Sequence, residues 1–244
     1  MESQKPKIAM YVKRPFGEKL NASFDFLKEN WKLLLKFITY LLLPLCLIQA
    51  LSLNGLMSGA LSISAIASST AMAASSSSLI AFGSYYGLYM FLYLIGIILL
   101  TSLVYGLIRT YNEREERLQG VTLGMLKPRL FRNIKRLLLM TGACILLVLF
   151  VGIFVGLLVA LTPFTLFLTI PFIIAFSVPL ALLAPIYLFE DITLMEAFKK
   201  TFRLGFATWG GVFLVSLLMG IIANVLQGVT MMPWYIATVV EDFF

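Results

Sequence analysis

The chain alternates long apolar stretches with short charged ones. No charged side chain occurs between Lys36 and Arg109, between Arg136 and Glu190, or between Arg203 and Glu241. A helix needs about 20 apolar residues to cross some 30 Å of hydrocarbon. Each of the first two stretches therefore holds two crossings, and the third holds one and part of another. The pattern predicts spans at 37–56, 82–105, 137–161, 164–188 and 210–226. A long connection rich in Ser and Ala, 57–79, joins the first pair, and Thr162-Pro163 joins the second pair as a tight hairpin. The tail 227–244 is too short to cross by itself and reads as an interfacial segment or the start of a sixth span.

A second pattern precedes the spans. Leu20, Phe24, Leu27 and Trp31 step by three and four, as do Phe198, Phe202, Gly205 and Trp209, with Lys and Arg opposite them. That is the signature of an amphipathic helix. Glu18 to Trp31 and Glu196 to Trp209 share Glu, Phe and Trp at the same offsets, with Ser23 matched by Thr201. Thr193-Leu-Met-Glu196 is a capping box that starts the later copy. A weaker third copy, without Trp, runs through Leu126, Leu130, Ile134 and Leu137. The predicted fold class is an all-α membrane protein, a helical bundle of about five to six transmembrane helices. Three amphipathic helices on the cytoplasmic face would mark pseudo-repeated units within a single integral membrane domain, 1–244, whose segment 1–36 is cytoplasmic.

Composition and charge fix the setting. The chain is 60% hydrophobic and 13% charged, with a mean hydropathy of +0.95, against about 25% charged in soluble domains. All 19 basic residues lie before the first span, between the second and third, or between the fourth and fifth. The positive-inside rule puts those segments in the cytoplasm. The expectation is a multi-pass protein of a bacterial inner membrane with its N-terminus cytoplasmic. The N-terminus does not read as a signal peptide, because charged and aromatic residues precede the first apolar run; Ala71-Met-Ala73 as a cleavage site lies too far along. The net charge of +7 beside the spans favours anionic phospholipid headgroups as partners over nucleic acid.

Other chemistry is thinly represented. The chain has no His, the commonest general base and metal ligand. Cys46 and Cys144 fall within predicted spans and suggest neither a disulfide framework nor a metal cluster. No catalytic residue, cofactor or metal site is expected, and the sequence leaves homo-oligomers and membrane-protein partners open.

Leu183-Ala-Pro-Ile-Tyr-Leu-Phe-Glu190-Asp-Ile-Thr-Leu-Met-Glu196-Ala-Phe-Lys-Lys-Thr-Phe-Arg-Leu-Gly-Phe-Ala-Thr-Trp209 resembles an element of bacterial polytopic membrane proteins. The same element occurs in the membrane domain that precedes some glycerophosphodiester phosphodiesterases. Phe16-Gly-Glu18 to Trp31, followed by a span containing Pro44, resembles the N-terminal part of those domains. The resemblance implies six helical spans and carries over no catalytic residue, since the phosphodiesterase chemistry belongs to a separate soluble domain.

The candidate sites follow. Arg129, Arg132, Lys135 and Arg136, with Lys199, Lys200 and Arg203, are candidates for lipid headgroups; the alternative is that they only anchor the helices by snorkelling. Tyr85, Tyr89 and Tyr93 step by four along the second span. Tyr85 suits an outer aromatic belt, whereas Tyr89 and Tyr93 should face protein or a cavity, because an unpaired hydroxyl in hydrocarbon is costly. Pro171 and Pro179, with Pro185, release carbonyls in the fourth span, which reads as a plain kink or as the broken helix of a transporter. Gly83/Gly87 and Gly152/Gly156 offer small-residue spacing for helix packing. Glu190-Asp191 reads as a turn before the Thr193 cap. The functional expectation is a non-catalytic, lipid-interacting or scaffold protein; the alternative is a transporter or permease subunit for a small or amphiphilic solute.

Overall fold

The computed structural model describes residues 6–9, 12–67, 75–162 and 164–243. Seven helices follow one another among them: α1 (Phe16–Ala67), α2 (Ser75–Glu113), α3 (Leu123–Leu161), α4 (Thr165–Leu180), α5 (Leu183–Glu190), α6 (Leu194–Ala207) and α7 (Trp209–Phe243). Five stretches are long and apolar enough to cross a membrane: Phe16–Gly59, Leu79–Glu113, Leu123–Leu161, Thr165–Glu190 and Trp209–Pro233. The chain is all-helical in its described part, and these five stretches make it a multi-pass membrane protein.

Three boundaries differ from the sequence reading. α1 is one helix of 52 residues that takes in the predicted span and runs on to Ala67, inside the expected connection 57–79. At about 1.5 Å per residue it is some 78 Å long, far beyond the thickness of the hydrocarbon. Ala71-Met-Ala73 lies outside the described residues. α7 continues without interruption through Pro233 to Phe243, so the tail extends the last span and is not a separate element.

The third difference is chemical. The predicted span 164–188 is two helices, broken at Ala181 and Leu182. The Ala181 and Leu182 N–H groups donate three residues back, to Val178 and Pro179, at 3.2 and 2.9 Å. Pro185 has no N–H and its ring crowds the carbonyl four residues earlier, that of Ala181, so a continuous α-helix is disfavoured there. In the first turn of α5 the missing N–H costs little.

The chain forms two compact units: Met1–Val12 with Phe24–Cys144, and Lys13–Ser23 with Ile145–Phe244. In the first, α1 buries Phe26, Asn30, Leu34 and Phe37, one stripe at helical spacing. The three apolar members pack with Leu103, Leu107 and Tyr111 of α2 and with Leu126 and Leu130 of α3. The expected face is the other one: Phe24, Leu27 and Trp31 are exposed. Further along α1, Gly55 lies so close to the Tyr85 ring that an added Cβ would sit 2.6 Å from it. Ser102 and Asn133 join α2 to α3: the Ser102 hydroxyl donates to the Leu130 carbonyl, and the Asn133 amide donates to the Ser102 carbonyl. Buried interhelical hydrogen bonds of this kind hold helices together in a medium without competing water.

In the second unit α6 packs on α4, α5 and α7. The capping box at its start is complete: Thr193 Oγ1 accepts the Glu196 N–H, and the Glu196 carboxylate accepts the Thr193 N–H.

Candidate functional site

In the first unit, two layers of charge chemistry surround the start of the bundle. The inner layer is a latch centred on Tyr111, which is fully buried and meets Phe26 edge-on at 5.2 Å. Its hydroxyl donates to Glu29 Oε2 at 3.2 Å and accepts the Ile8 N–H at 3.3 Å. Arg117 donates to Glu29 Oε1 at 2.7 Å, and this hydrogen bond pushes the guanidinium pKa above its usual value. Arg117 sits at φ 58° in the turn after α2, a left-handed conformation that is uncommon for a residue with a side chain. Lys7 Nζ donates to the carbonyls of Asn112 and Arg114 at 2.8 and 3.1 Å.

The second layer sits on α2 and α3. Glu113 accepts from Arg109 at 3.0 Å and from Arg129, which also donates to Thr110 Oγ1 at 3.1 Å. Arg129, expected among the headgroup ligands, is thus turned to the protein. The reason is the i, i+4 pair Arg109–Glu113, which sets a carboxylate beside it. Sequence reasoning missed Lys7, Glu29 and Glu113. Glu29 carried a local signal, a carboxylate in a basic helix, but its partners lie 82 and 88 positions away.

Outside this layer lies an open cleft of about 1040 Å³. α1 supplies Lys32, Leu35, Lys36, Phe37, Thr39, Tyr40, Leu43 and Pro44, and the turn into α3 supplies Val121, Thr122 and Leu123. Lys32 Nζ lies 5.9 Å from the ring of Trp31. Among the described residues neither Lys32 nor Lys36 is paired with a carboxylate. No sequence pattern announced this cleft, because its two walls are far apart in the chain.

The second unit holds a different arrangement. Pro179, with no N–H to give, deprives the Ala175 carbonyl of its donor four residues on. The Trp209 indole N–H supplies one at 3.0 Å. Gly205 makes room for Pro179: a Cβ there would sit 2.6 Å from the proline Cα. Phe176 of α4 packs against Phe202 and Phe206 of α6 at 6.0 and 5.3 Å. The Glu190–Asp191 turn is present, with Asp191 left-handed at φ 54° and Glu190 bonded to Lys200 at 2.6 Å.

The remaining candidates divide. Lys135, Lys199 and Arg203 are exposed, while Arg132 and Arg136 both make interactions within the protein. Arg136 is half-buried. Of the tyrosines, Tyr89 is partly covered, Tyr85 lies against Gly55, and Tyr93 is 49% exposed instead of facing protein. A side chain at 93 leaves the bundle because the buried positions of α2 in this region are Leu92 and Ile98. Pro171 is exposed and Pro179 buried. Among the described residues, Gly83, Gly87, Gly152 and Gly156 have nothing within 4 Å of where a Cβ would stand.

No protein-family model, curated protein or solved structure matches the chain. Its fold defines it as an all-helical multi-pass membrane protein.

Proposed function

We propose that the chain is a non-catalytic protein of a bacterial inner membrane that holds anionic phospholipid at its cytoplasmic face, as a lipid-interacting or scaffold component. The observation that carries this reading is the division of the cations. Arg109, Arg117, Arg129 and Lys200 close on carboxylates. Lys32, Lys36, Lys127, Lys135, Lys199 and Arg203 are left exposed or facing the cleft, next to long apolar helices. Such charges attract anionic headgroups by about 1 kcal/mol each near a membrane surface.

On this reading the segments 18–31, 126–137 and 196–209 are the cytoplasmic-face amphipathic elements of three repeated units. The resemblance of 183–209 to the membrane domain associated with glycerophosphodiester phosphodiesterases is part of the same proposal. A second reading, a transporter or permease subunit, is favoured by one observation, the broken α4–α5 span, since transporters bind solutes at such breaks.

The test is native mass spectrometry of the purified chain with phosphatidylglycerol and phosphatidylcholine. Wild type retains phosphatidylglycerol preferentially, and Lys127→Gln/Lys135→Gln/Lys199→Gln/Arg203→Gln weakens that preference while the protein still inserts. Equal retention of both lipids by wild type sinks the reading. Solute flux in proteoliposomes that depends on the protein would establish the second one.

A further inference from the structure

We infer that the cleft between α1 and the turn into α3 is a seat for one anionic phospholipid, with its phosphate at Lys32 and Lys36 and an acyl chain along Leu43 and Pro44. This rests on the lipid-binding reading above and adds a defined site to it.

The order of chemistry along the cleft carries the inference. Lys32 and Lys36 are one helical turn apart, so they lie on the same side of α1, and both line the cleft. Lys36 is the last charged residue before the uncharged stretch 37–108. It therefore marks where α1 leaves the headgroup layer for hydrocarbon. Thr39 and Tyr40, the next lining residues, add hydroxyl donors about one turn further in, and Thr122 adds another from the opposite wall. Beyond them the α1 wall is Leu43 and Pro44, without a polar side chain. Charge, then hydroxyls, then apolar surface is the order in which a phospholipid presents phosphate, ester oxygens and acyl chain.

Charge complementarity excludes other occupants. No lining residue is acidic, and neither lysine is taken by a carboxylate among the described residues. A zwitterionic lipid would offer the lysines a phosphate together with its own cation. An amphipathic peptide would need acidic residues above an apolar face. Inorganic phosphate would use the lysines and leave the apolar half of the cleft unfilled. The volume of about 1040 Å³ lies at the upper end of sites for drug-sized ligands, roughly 300–1,000 Å³, and the open side leaves room for the second chain.

The experiment uses the full chain in nanodiscs of phosphatidylcholine with one-fifth phosphatidylglycerol, the latter carrying a photoreactive group on one acyl chain. Cross-linked peptides are mapped, and lipid retention is measured in detergent. Wild type is expected to cross-link within 39–44 and 121–123 and to retain one phosphatidylglycerol. Lys32→Gln/Lys36→Gln loses about thirtyfold in retention, the effect of two surface charges. Leu43→Trp keeps both charges but fills the apolar half, and it loses the acyl cross-link. Millimolar inorganic phosphate leaves retention unchanged. If Lys32→Gln/Lys36→Gln retains the lipid as wild type does, or if the cross-links fall elsewhere, the site is overturned while the general lipid preference stands. If wild type has no preference for phosphatidylglycerol, both fall. Helicity of each variant, compared with wild type, separates lost binding from lost folding.

Discussion

Two segments of the molecule carry the same spacing of Glu, Phe and Trp and use it differently. In 196–209 the expected face is turned to the protein: Gly205 is buried against Pro179, Phe202 packs on Phe176, and Trp209 serves the Ala175 carbonyl. In 18–31 the matching Phe24, Leu27 and Trp31 are 45%, 47% and 55% exposed, and the neighbouring stripe of Phe26 and Asn30 is buried instead. One detail is shared. Asn30 and Thr208, at matching positions, each donate a side-chain hydrogen bond to the carbonyl four residues back, at 2.9 and 2.8 Å. For a Thr hydroxyl such back-bonding often bends helices. The helix ends at the second position and continues through the first. An amphipathic pattern therefore states that a face avoids water. Whether protein or lipid covers that face is decided by the partner helix.

The largest expected effect tests the buried contact. Gly205→Leu must push α6 away from the backbone of Pro179, since even a Cβ would stand 2.6 Å from its Cα. Overpacking against a side chain costs about 1–3 kcal/mol, and backbone yields less readily, so a loss of about 3 kcal/mol or more is expected. Leu27→Ala, at the matching exposed position, should change stability by no more than about 0.5 kcal/mol. Helicity during denaturation in detergent reads both. Equal stability of Gly205→Leu and wild type would remove the Pro179–Gly205 contact from the account.

Much of the fold was legible because the apolar stretches are long enough to leave no other reading. What escaped was decided by pairing. Pro171 and Pro179 remain inside α4, and the break comes only where Pro185 follows Ala181; the count of prolines does not distinguish them. Arg129 looked like its neighbours Arg132 and Arg136 until Glu113 was placed beside it. The cleft joins residues 32–44 to residues 121–123, and no local pattern records that meeting. Glycine spacing alone did not decide the matter: among the described residues Gly83 and Gly87 have the right interval and no neighbour where a Cβ would stand, whereas Gly55 and Gly59, at the same interval, meet Tyr85 and Phe82, and Gly205 meets Pro179 without a partner glycine.

A smaller effect sharpens the comparison at the two tryptophans. Trp209→Phe keeps the stacking on Phe213, whose ring lies 5.0 Å away and nearly parallel, but removes the indole N–H. The Ala175 carbonyl then has neither Pro179 nor Trp209 as donor, at an expected cost of about 1–3 kcal/mol. Trp31→Phe, on an exposed ring, should stay within about 0.5 kcal/mol. Fluorescence of the single-tryptophan variants checks the placement: a quencher carried on lipid chains should affect Trp31 more than Trp209. The reverse order would mean that the two segments have been assigned the wrong environments.

The smallest effect is at the helix starts. Thr193 caps α6 with its hydroxyl, and Pro15 stands at the matching position, where no side-chain oxygen is available. Thr193→Ala should therefore cost about 1 kcal/mol. The carboxylate side of the box adds a pH dependence. The Thr193 backbone N–H donates to Glu196 and holds its pKa below the ordinary glutamate value of 4.5. A depressed folded pKa favours the folded state while the group is ionised. The contribution is fully present above about pH 4.5 and is lost as the pH falls through the lower, folded value. Other carboxylates titrate in the same range, so the measurement is a difference. Wild type should lose more helical stability than Glu196→Gln between pH 7 and pH 3. If Glu196→Gln follows the wild-type curve, the carboxylate half of the box contributes nothing to the stability of α6, and the two helix starts are equivalent despite their different caps.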